Sequence, residues 1–286
     1  MRIFQIYYDA ESRMALDQGF IPLDNTQNER PDWFEFWVIR NFLQNKALDP
    51  NSWYGFLSPN FTVKTKLNSQ YVLTFLSALD PKYEVALFTS SPDLLAIHLN
   101  PFEHGEYAHP GLLRASQAFL DTTDYRVELQ KLVTTLETSV FSNYIIAKPR
   151  FWCEWLKLAN VFFDYVEGLE KNKSANVDHN LILQNTYYLK NNVQMKVFVQ
   201  ERFASLILSQ GDFETYVPPI INEFQIYDMP GREILSTCEN LKKSFVRTGN
   251  KEFLERFLKM RPQFLTSDLQ KVLSRFMGYP VYLDGI

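Results

Sequence analysis

The segment from Trp53 to Thr65 constrains the fold more than any other part of this chain. Its apolar half reads as a short buried strand, and Ser58-Pro59-Asn60 as the turn that ends it on the way to Lys64 and Thr65. Apolar positions at Val72, Phe75, Leu76 and Leu79 then recur at helical spacing, and Glu84 to Phe88 reads as a second strand. Strand, polar loop, helix and strand form the repeating unit of nucleotide-binding α/β sheets. In such sheets, ligands sit in the loops at the carboxyl ends of the strands.

The chain has 286 residues, enough for one large or two modest domains with a substantial core. It holds 24 Phe, 15 Tyr and 5 Trp, an aromatic load that serves equally for core filling and for stacking platforms. Cys153 and Cys238 are the two cysteines, and Met1 leads directly into the strand-like Arg2 to Tyr8, with no secretory signal. The expected setting is a reducing cytoplasm without a disulfide framework. No apolar run reaches the length of a membrane span. Net charge is −4, but from Arg232 to Arg275 ten Lys/Arg stand against five Asp/Glu, so this stretch carries +5 and the rest −9. Such asymmetry suits either a solvated helical face or an anionic partner such as a membrane surface. No nucleic-acid-binding module is present, and none is expected as a partner.

Along the chain, a first buried strand over residues 1–8 is followed by a polar surface loop from Asp9 to Arg30. Pro31-Asp32 starts a helix, with Asp32 as N-cap and Glu35 three residues on, and with Trp33, Phe36, Ile39 and Leu43 on its inner face. The unit described above comes next. Ser90 to Gly111 is irregular and polar and holds three of the four histidines. A strand over Asn143–Ala147 precedes a long helix that starts at Pro149, and a single helix is expected from Met195 to Ser209. Helices near 232–246, 250–260 and 267–277 complete an α/β domain (1–215) with a helical C-terminal extension (216–286).

Four groups of residues carry possible chemistry. Tyr7, Tyr8 and Asp9 end the first strand, where an aromatic ring and a carboxylate hold a base and a ribose. Ser58, Lys64 and Thr65 end the next strand, with a cation and hydroxyls suited to a diphosphate. The group His98, Glu103, His104, Glu106 and His109 matches no standard zinc spacing, which leaves an acid–base role for Glu106 or His109. Glu201-Arg202 lies in an otherwise apolar helix, where a charge pair is costly unless partnered. Arg202 offers a fork to a phosphate, and Glu201 accepts from sugar hydroxyls. There is no G-x-G-x-x-G, no Walker-type loop and no G-x-S-x-G elbow, which argues against dehydrogenases, P-loop enzymes and serine hydrolases.

Asp24-Asn25-Thr26, the Trp53-to-Phe61 box with Lys64-Thr65, His109-Pro110-Gly111, Phe141 to Tyr144 with Ala147-Lys148-Pro149, and Glu201-Arg202 occur in order. Together they resemble the boxes of a bacterial family of glycosyltransferase-like proteins encoded among genes for lipopolysaccharide and capsule assembly. The resemblance covers roughly residues 1–210 and leaves the C-terminal helices unexplained. It implies a GT-A-like, Rossmann-type sheet that binds a nucleotide-diphosphate sugar on its first strands and a glycan or lipid-linked acceptor from the later loops. GT-A enzymes usually hold a divalent metal (Mn or Mg) through an Asp-x-Asp motif, and this chain has none. Either Asp93 and a further ligand hold the metal, or Lys64 and Arg202 replace it.

The expected function is therefore transfer of a sugar to an O-antigen or capsule glycan. Lys64 and Arg202 would carry charge, Glu106 or His109 would be the base, and Asn143 and Glu201 would orient hydroxyls. Basic C-terminal helices would rest on the inner membrane. The alternatives are a non-catalytic glycan- or partner-binding member of an assembly complex, and a metal-dependent hydrolase built on the histidines.

Overall fold

A computed structural model of the protein describes residues 1–188, 191–225 and 227–267. Six strands form one mixed sheet: β1 (Arg2–Tyr7), β2 (Ile21–Asp24), β3 (Tyr54–Leu57), β4 (Val85–Leu87), β5 (Ile145–Ala147) and a later edge strand. A separate hairpin pairs β6 (Asn185–Tyr188) with β7 (Asn191–Gln194), and the sheet's edge strand is β8 (Thr215–Tyr216). The order across the sheet is β2-β1-β3-β5-β4-β8. All neighbours are parallel except β5, which runs antiparallel to both β3 and β4. The amino end of β5 thus lies at the same edge as the carboxyl ends of its neighbours.

The first half of the chain contributes α1 (Ala10–Met14), α2 (Glu35–Asn45), α3 (Phe61–Thr65), α4 (Ser69–Ala78), α5 (Pro92–Ile97), α6 (Pro101–Ala108) and α7 (Leu112–Leu120). The second half contributes α8 (Pro149–Lys171), α9 (Val177–Asn180), α10 (Met195–Gln200), α11 (Phe203–Gln210), α12 (Pro219–Asn222), α13 (Met229–Thr248) and α14 (Lys251–Ser267). Helix α8 starts with Pro149, where the missing N–H costs nothing, and buries Phe151, Trp152, Trp155, Ala159, Phe162 and Val166 along one stripe. That stripe covers one sheet face together with α2. Phe4, Phe42, Phe56 and Trp152 pack ring on ring at 4.9–5.6 Å, and the Trp152 Nε1–H donates to Tyr54 O at 3.0 Å. Phe61 of α3 and Phe75 of α4 meet Phe88 and Tyr144, which flank the strands β4 and β5.

Several expectations need correction. The loop from Asp9 to Arg30 contains α1 and the edge strand β2, four residues that pairing with β1, not their own pattern, makes a strand. Asp32 does not cap α2. Residues Pro31–Trp33 form a 3₁₀ turn, α2 begins at Glu35 after Phe34 with φ +50°, and Asp32 instead pairs with Arg30 and the fully buried Lys196 at 2.7 Å. Ser90 to Gly111 is not irregular but holds α5 and α6. The helix expected from Met195 to Ser209 breaks into α10 and α11 at Glu201-Arg202. The helix expected near 267–277 lies outside the described residues apart from its first residue.

The C-terminal helices fold back onto the α/β body. Lys242 of α13, with no exposed side-chain surface, donates to Leu95 O at 2.5 Å and His98 O at 3.0 Å, at the end of α5. Glu239 accepts from the Leu136 N–H at 2.7 Å, and Arg261 of α14 pairs with Glu103 at 2.9 Å. Part of the basic excess of this region is therefore spent inward on the fold. The boundary placed at 215 falls inside β8. Among the described residues, no helix is long and apolar enough to cross a membrane.

Candidate functional site

The candidate site lies at the carboxyl edge of β1 and β3, where β5 enters from the opposite direction. Tyr8, just past β1, is half-buried, and its hydroxyl lies beside the Glu35 carboxylate. Burial and then the nearby Glu35 carboxylate raise its pKa, so it stays a phenol. Tyr7 turns the other way: its hydroxyl lies by Asp24, its register partner on β2, and the side-chain hydrogen bond to that carboxylate raises its pKa. Asp9 is the N-cap of α1, accepting from the Ser12 N–H at 2.7 Å, and this bond lowers its pKa.

At the end of β3, the buried Ser58 Oγ shares a hydrogen bond with the Tyr144 hydroxyl at 2.9 Å. Gln5, buried in β1, donates to Ser58 O and Pro59 O at 3.3 and 3.2 Å and fixes this turn. Thr65 donates to Phe61 O at 2.8 Å and accepts from the Leu67 N–H at 3.1 Å; it closes α3 instead of facing a ligand. Lys64, one residue earlier, is exposed and makes no ion pair among the described residues.

Asn143 stands directly before β5. It is 5% exposed, its φ is +54°, and the preceding Ser142 has φ +58°. Two consecutive non-glycine residues in the left-handed region are costly, and such strain gathers at functional sites. Among the described residues, the buried Asn143 Oδ1 has no partner, and Thr62 Oγ1 on α3 and Thr89 Oγ1 after β4 are also buried without one.

The break between α10 and α11 separates the two members of the Glu201-Arg202 pair. Glu201 is half-buried and makes no hydrogen bond or ion pair among the described residues. Burial raises its pKa, against the lowering fields of Arg202 and Lys64, and Glu35 adds to the rise. The Arg202 guanidinium, 4% exposed, donates through Nε to Pro101 O at 2.8 Å and through Nη1 to Phe198 O, and it lies flat over Gly105. Burial lowers its pKa to about 10, which leaves it charged at neutral pH. Arg202 thus fastens α6 to α10, and a phosphate fork is not the use the fold makes of these two nitrogens.

The histidine-rich stretch is also structural. Glu106 accepts from the Gly111 N–H at 2.8 Å and the Leu113 N–H at 2.7 Å, so both carboxylate oxygens are engaged at the start of α7. This corrects its reading as a free base. His109 is 6% exposed, stacks on Phe198 with centroids 3.7 Å apart, and its Nδ1 lies 3.1 Å from Thr186 Oγ1. Burial, helped by the charge on Arg202, lowers its pKa to about 4, a value too weak for a base poised near neutrality. His98 and His104 pack edge to face at 5.0 Å. Among the described residues no group of three or more His, Cys, Asp or Glu could hold a metal. Asp93, 2% exposed at the start of α5, has one carboxylate oxygen without a partner, and burial favours its neutral form, a poor ligand. Neither Asp93 nor the histidine-rich stretch therefore fits a divalent metal.

No family model, curated protein or solved structure matches this chain.

Of the residues singled out in the sequence, the fold therefore assembles Tyr8, Ser58, Lys64, Asn143 and Glu201 at one sheet edge. Tyr7 and Asp9 lie toward β2, Thr65 closes a helix, and Glu106, His109 and the Arg202 guanidinium gather around α6. Tyr144, through Ser58, and Glu35, beside Tyr8, also belong to this edge; in the sequence Tyr144 stands only inside a box and Glu35 only three residues after Asp32. No sequence signal marks the positive φ at Phe34 that places Glu35 at the start of α2.

Proposed function

We propose that this protein is a GT-A-like glycosyltransferase that moves a sugar from a nucleotide-diphosphate donor to a hydroxyl of a surface-polysaccharide acceptor. One observation carries the reading: among the described residues Lys64, just past the carboxyl end of β3, makes no ion pair, and the half-buried Glu201 makes neither an ion pair nor a hydrogen bond, while the fields of Lys64 and Arg202 oppose the rise that burial gives its pKa. Together they match a leaving diphosphate and a proton to be removed. The ordered boxes described in the sequence support the same reading.

In this mechanism Glu201 accepts the proton of the acceptor hydroxyl, and its raised pKa brings it nearer to that task. The acceptor oxygen bonds to the anomeric carbon as the bond from that carbon to the phosphate oxygen breaks. The electron pair leaves on the diphosphate, whose charge Lys64 meets; such electrostatic stabilisation is usually the largest contribution. Asn143 and Ser58 accept from sugar hydroxyls, with Ser58 held by Tyr144. The acceptor is a glycan, free or lipid-linked, and the setting is the cytoplasmic face of the inner membrane.

The test is a thermal-shift screen of the purified chain against nucleoside diphosphates, with and without manganese. A nucleotide at a hundred times its Kd adds about 2.7 kcal/mol of stability. The expected result is a shift with one nucleotide that Lys64→Ala abolishes and Glu201→Gln retains. Absence of any shift in a folded sample overturns the transferase and leaves a non-catalytic glycan- or partner-binding protein.

A further inference from the structure

We infer that the cleft between β2 and α2 is a binding site for a neutral glycan. The cleft encloses about 300 Å³, the size at which small-ligand sites begin. One wall is the end of β2 with the loop after it, carrying Asp24, Asn25 and Gln27. The other is a stripe of α2, where Trp37, Asn41 and Asn45 follow one another at four-residue spacing and so share a face. Phe42 closes the floor between them.

This lining offers both things that a sugar ring asks for. The C–H faces of a sugar need a flat apolar surface, and its rim hydroxyls need groups that donate and accept. Phe42 supplies surface from a fixed position, packed on Phe4 and Phe56 at 4.9 and 5.1 Å. Trp37 is half-buried, with Phe163 behind it at 5.7 Å. The side chains of Asn25, Gln27, Asn41 and Asn45 surround these rings with amides. Asn45 Nδ2 donates to Asn41 Oδ1 at 2.8 Å and to Asn41 O at 2.9 Å, which sets the orientation of both side chains. Asn41 Nδ2 and Asn45 Oδ1 make no hydrogen bond among the described residues, so a donor and an acceptor stand side by side on the cleft wall.

Charge narrows the ligand further. Lys46 is the single cation among the lining residues, against Asp24 and Glu29, so a phosphate or an acidic sugar is disfavoured. Arg30 and Arg40 approach the Trp37 ring at 5.9 and 5.8 Å, but Arg30 is held by Asp32 and Glu167, and Arg40 by Asn160. A peptide is disfavoured as well, because Pro22 removes an N–H from the edge strand on which it would add. The cleft begins one strand from the candidate site: Asp24 is the register partner of Tyr7, and the Asn25 N–H donates to Tyr7 O at 2.9 Å. A glycan seated here can present its end at the carboxyl edge of β1. That this end is the acceptor of a transfer rests on the proposed function; the binding does not.

The experiment therefore needs no nucleotide. The labelled full chain is applied to an array of neutral and acidic glycans, as wild type, as the double variant Asn41→Ala with Asn45→Ala, and as Lys64→Ala. Both asparagines are exposed on a helix, where alanine is the better helix former, so the double variant keeps its fold, which its Tm verifies. The expected result is retention of neutral glycans over acidic ones. The double variant should lose affinity about tenfold or more, while Lys64→Ala binds as wild type does. Failure to retain any glycan, retention of acidic glycans alone, or unchanged binding by the double variant overturns the site. A nucleotide shift without glycan binding keeps the transferase and removes the cleft. Glycan binding lost in the double variant, without any nucleotide shift, keeps the cleft and removes the transferase.

Discussion

Buried polar atoms show most directly which residues hold the fold and which are kept for something else. An unsatisfied buried group costs roughly 1–3 kcal/mol, so natural folds retain few without reason. Glu106 belongs to the first kind. Glu106→Ala removes both acceptors from the start of α7 and should cost about 1–2 kcal/mol, read as a lower urea midpoint. Asn143 belongs to the second kind. Asn143→Gly relieves a left-handed non-glycine residue and deletes an orphaned oxygen, so stability should rise by about 1 kcal/mol while the nucleotide response falls. Buried histidines set the acid limit. The pKa values of His98 and His109 are lowered by burial to about 4, so the unfolded chain binds more protons between that value and its ordinary 6.5. Their contribution to stability is complete above pH 6.5 and is lost as pH falls toward 4. Glu201, with a raised pKa, acts in the opposite sense, losing stability as pH rises from its unfolded value. Denaturation of His109→Gln across pH 4–7 should show a shallower acid slope than wild type. At this scale the placement of Lys64 past a strand and of Asn143 before one was legible, since both are local facts of the sequence. The caps formed by Glu106 and Asp9 were not, because which amide a carboxylate meets is decided by the path of the chain.

At the level of elements, the break between α10 and α11 decides what Glu201 and Arg202 do. An unbroken apolar run with one charged dipeptide predicts one buried helix, and periodicity carries no sign of the interruption. The structure instead seats the Arg202 guanidinium over Gly105, where an added Cβ would come within 2.5 Å of Nη2. Gly105→Ala should therefore force the guanidinium off its two carbonyls and cost about 1–3 kcal/mol, visible as a Tm loss that a compensating Arg202→Met reduces. The central strand–helix–strand unit was legible because each piece carries its own pattern. The edge strands β2 and β8, four and two residues long, were not, because their neighbours alone make them strands.

Over the whole molecule, the C-terminal helices are tied to the body through buried charge. Lys242 is wholly buried, and burial lowers its pKa against the opposing pull of Glu239. Lys242→Ala leaves the buried Glu239 with only the part-exposed Lys243, at 4.0 Å, and the last carbonyls of α5 without a donor, and should cost about 3–5 kcal/mol in chemical denaturation. The mixed α/β class follows from the alternation of elements, but the reversed direction of β5 is a property of the assembled sheet. That reversal has a consequence during synthesis. Strands β1 and β3 can pair early, yet the edge they present lacks the start of β5 until about half the chain has been made, and lacks Glu201 until later still. A growing chain therefore exposes an unfinished sheet edge for most of its time on the ribosome, and only after Glu201 has been made can that edge be completed.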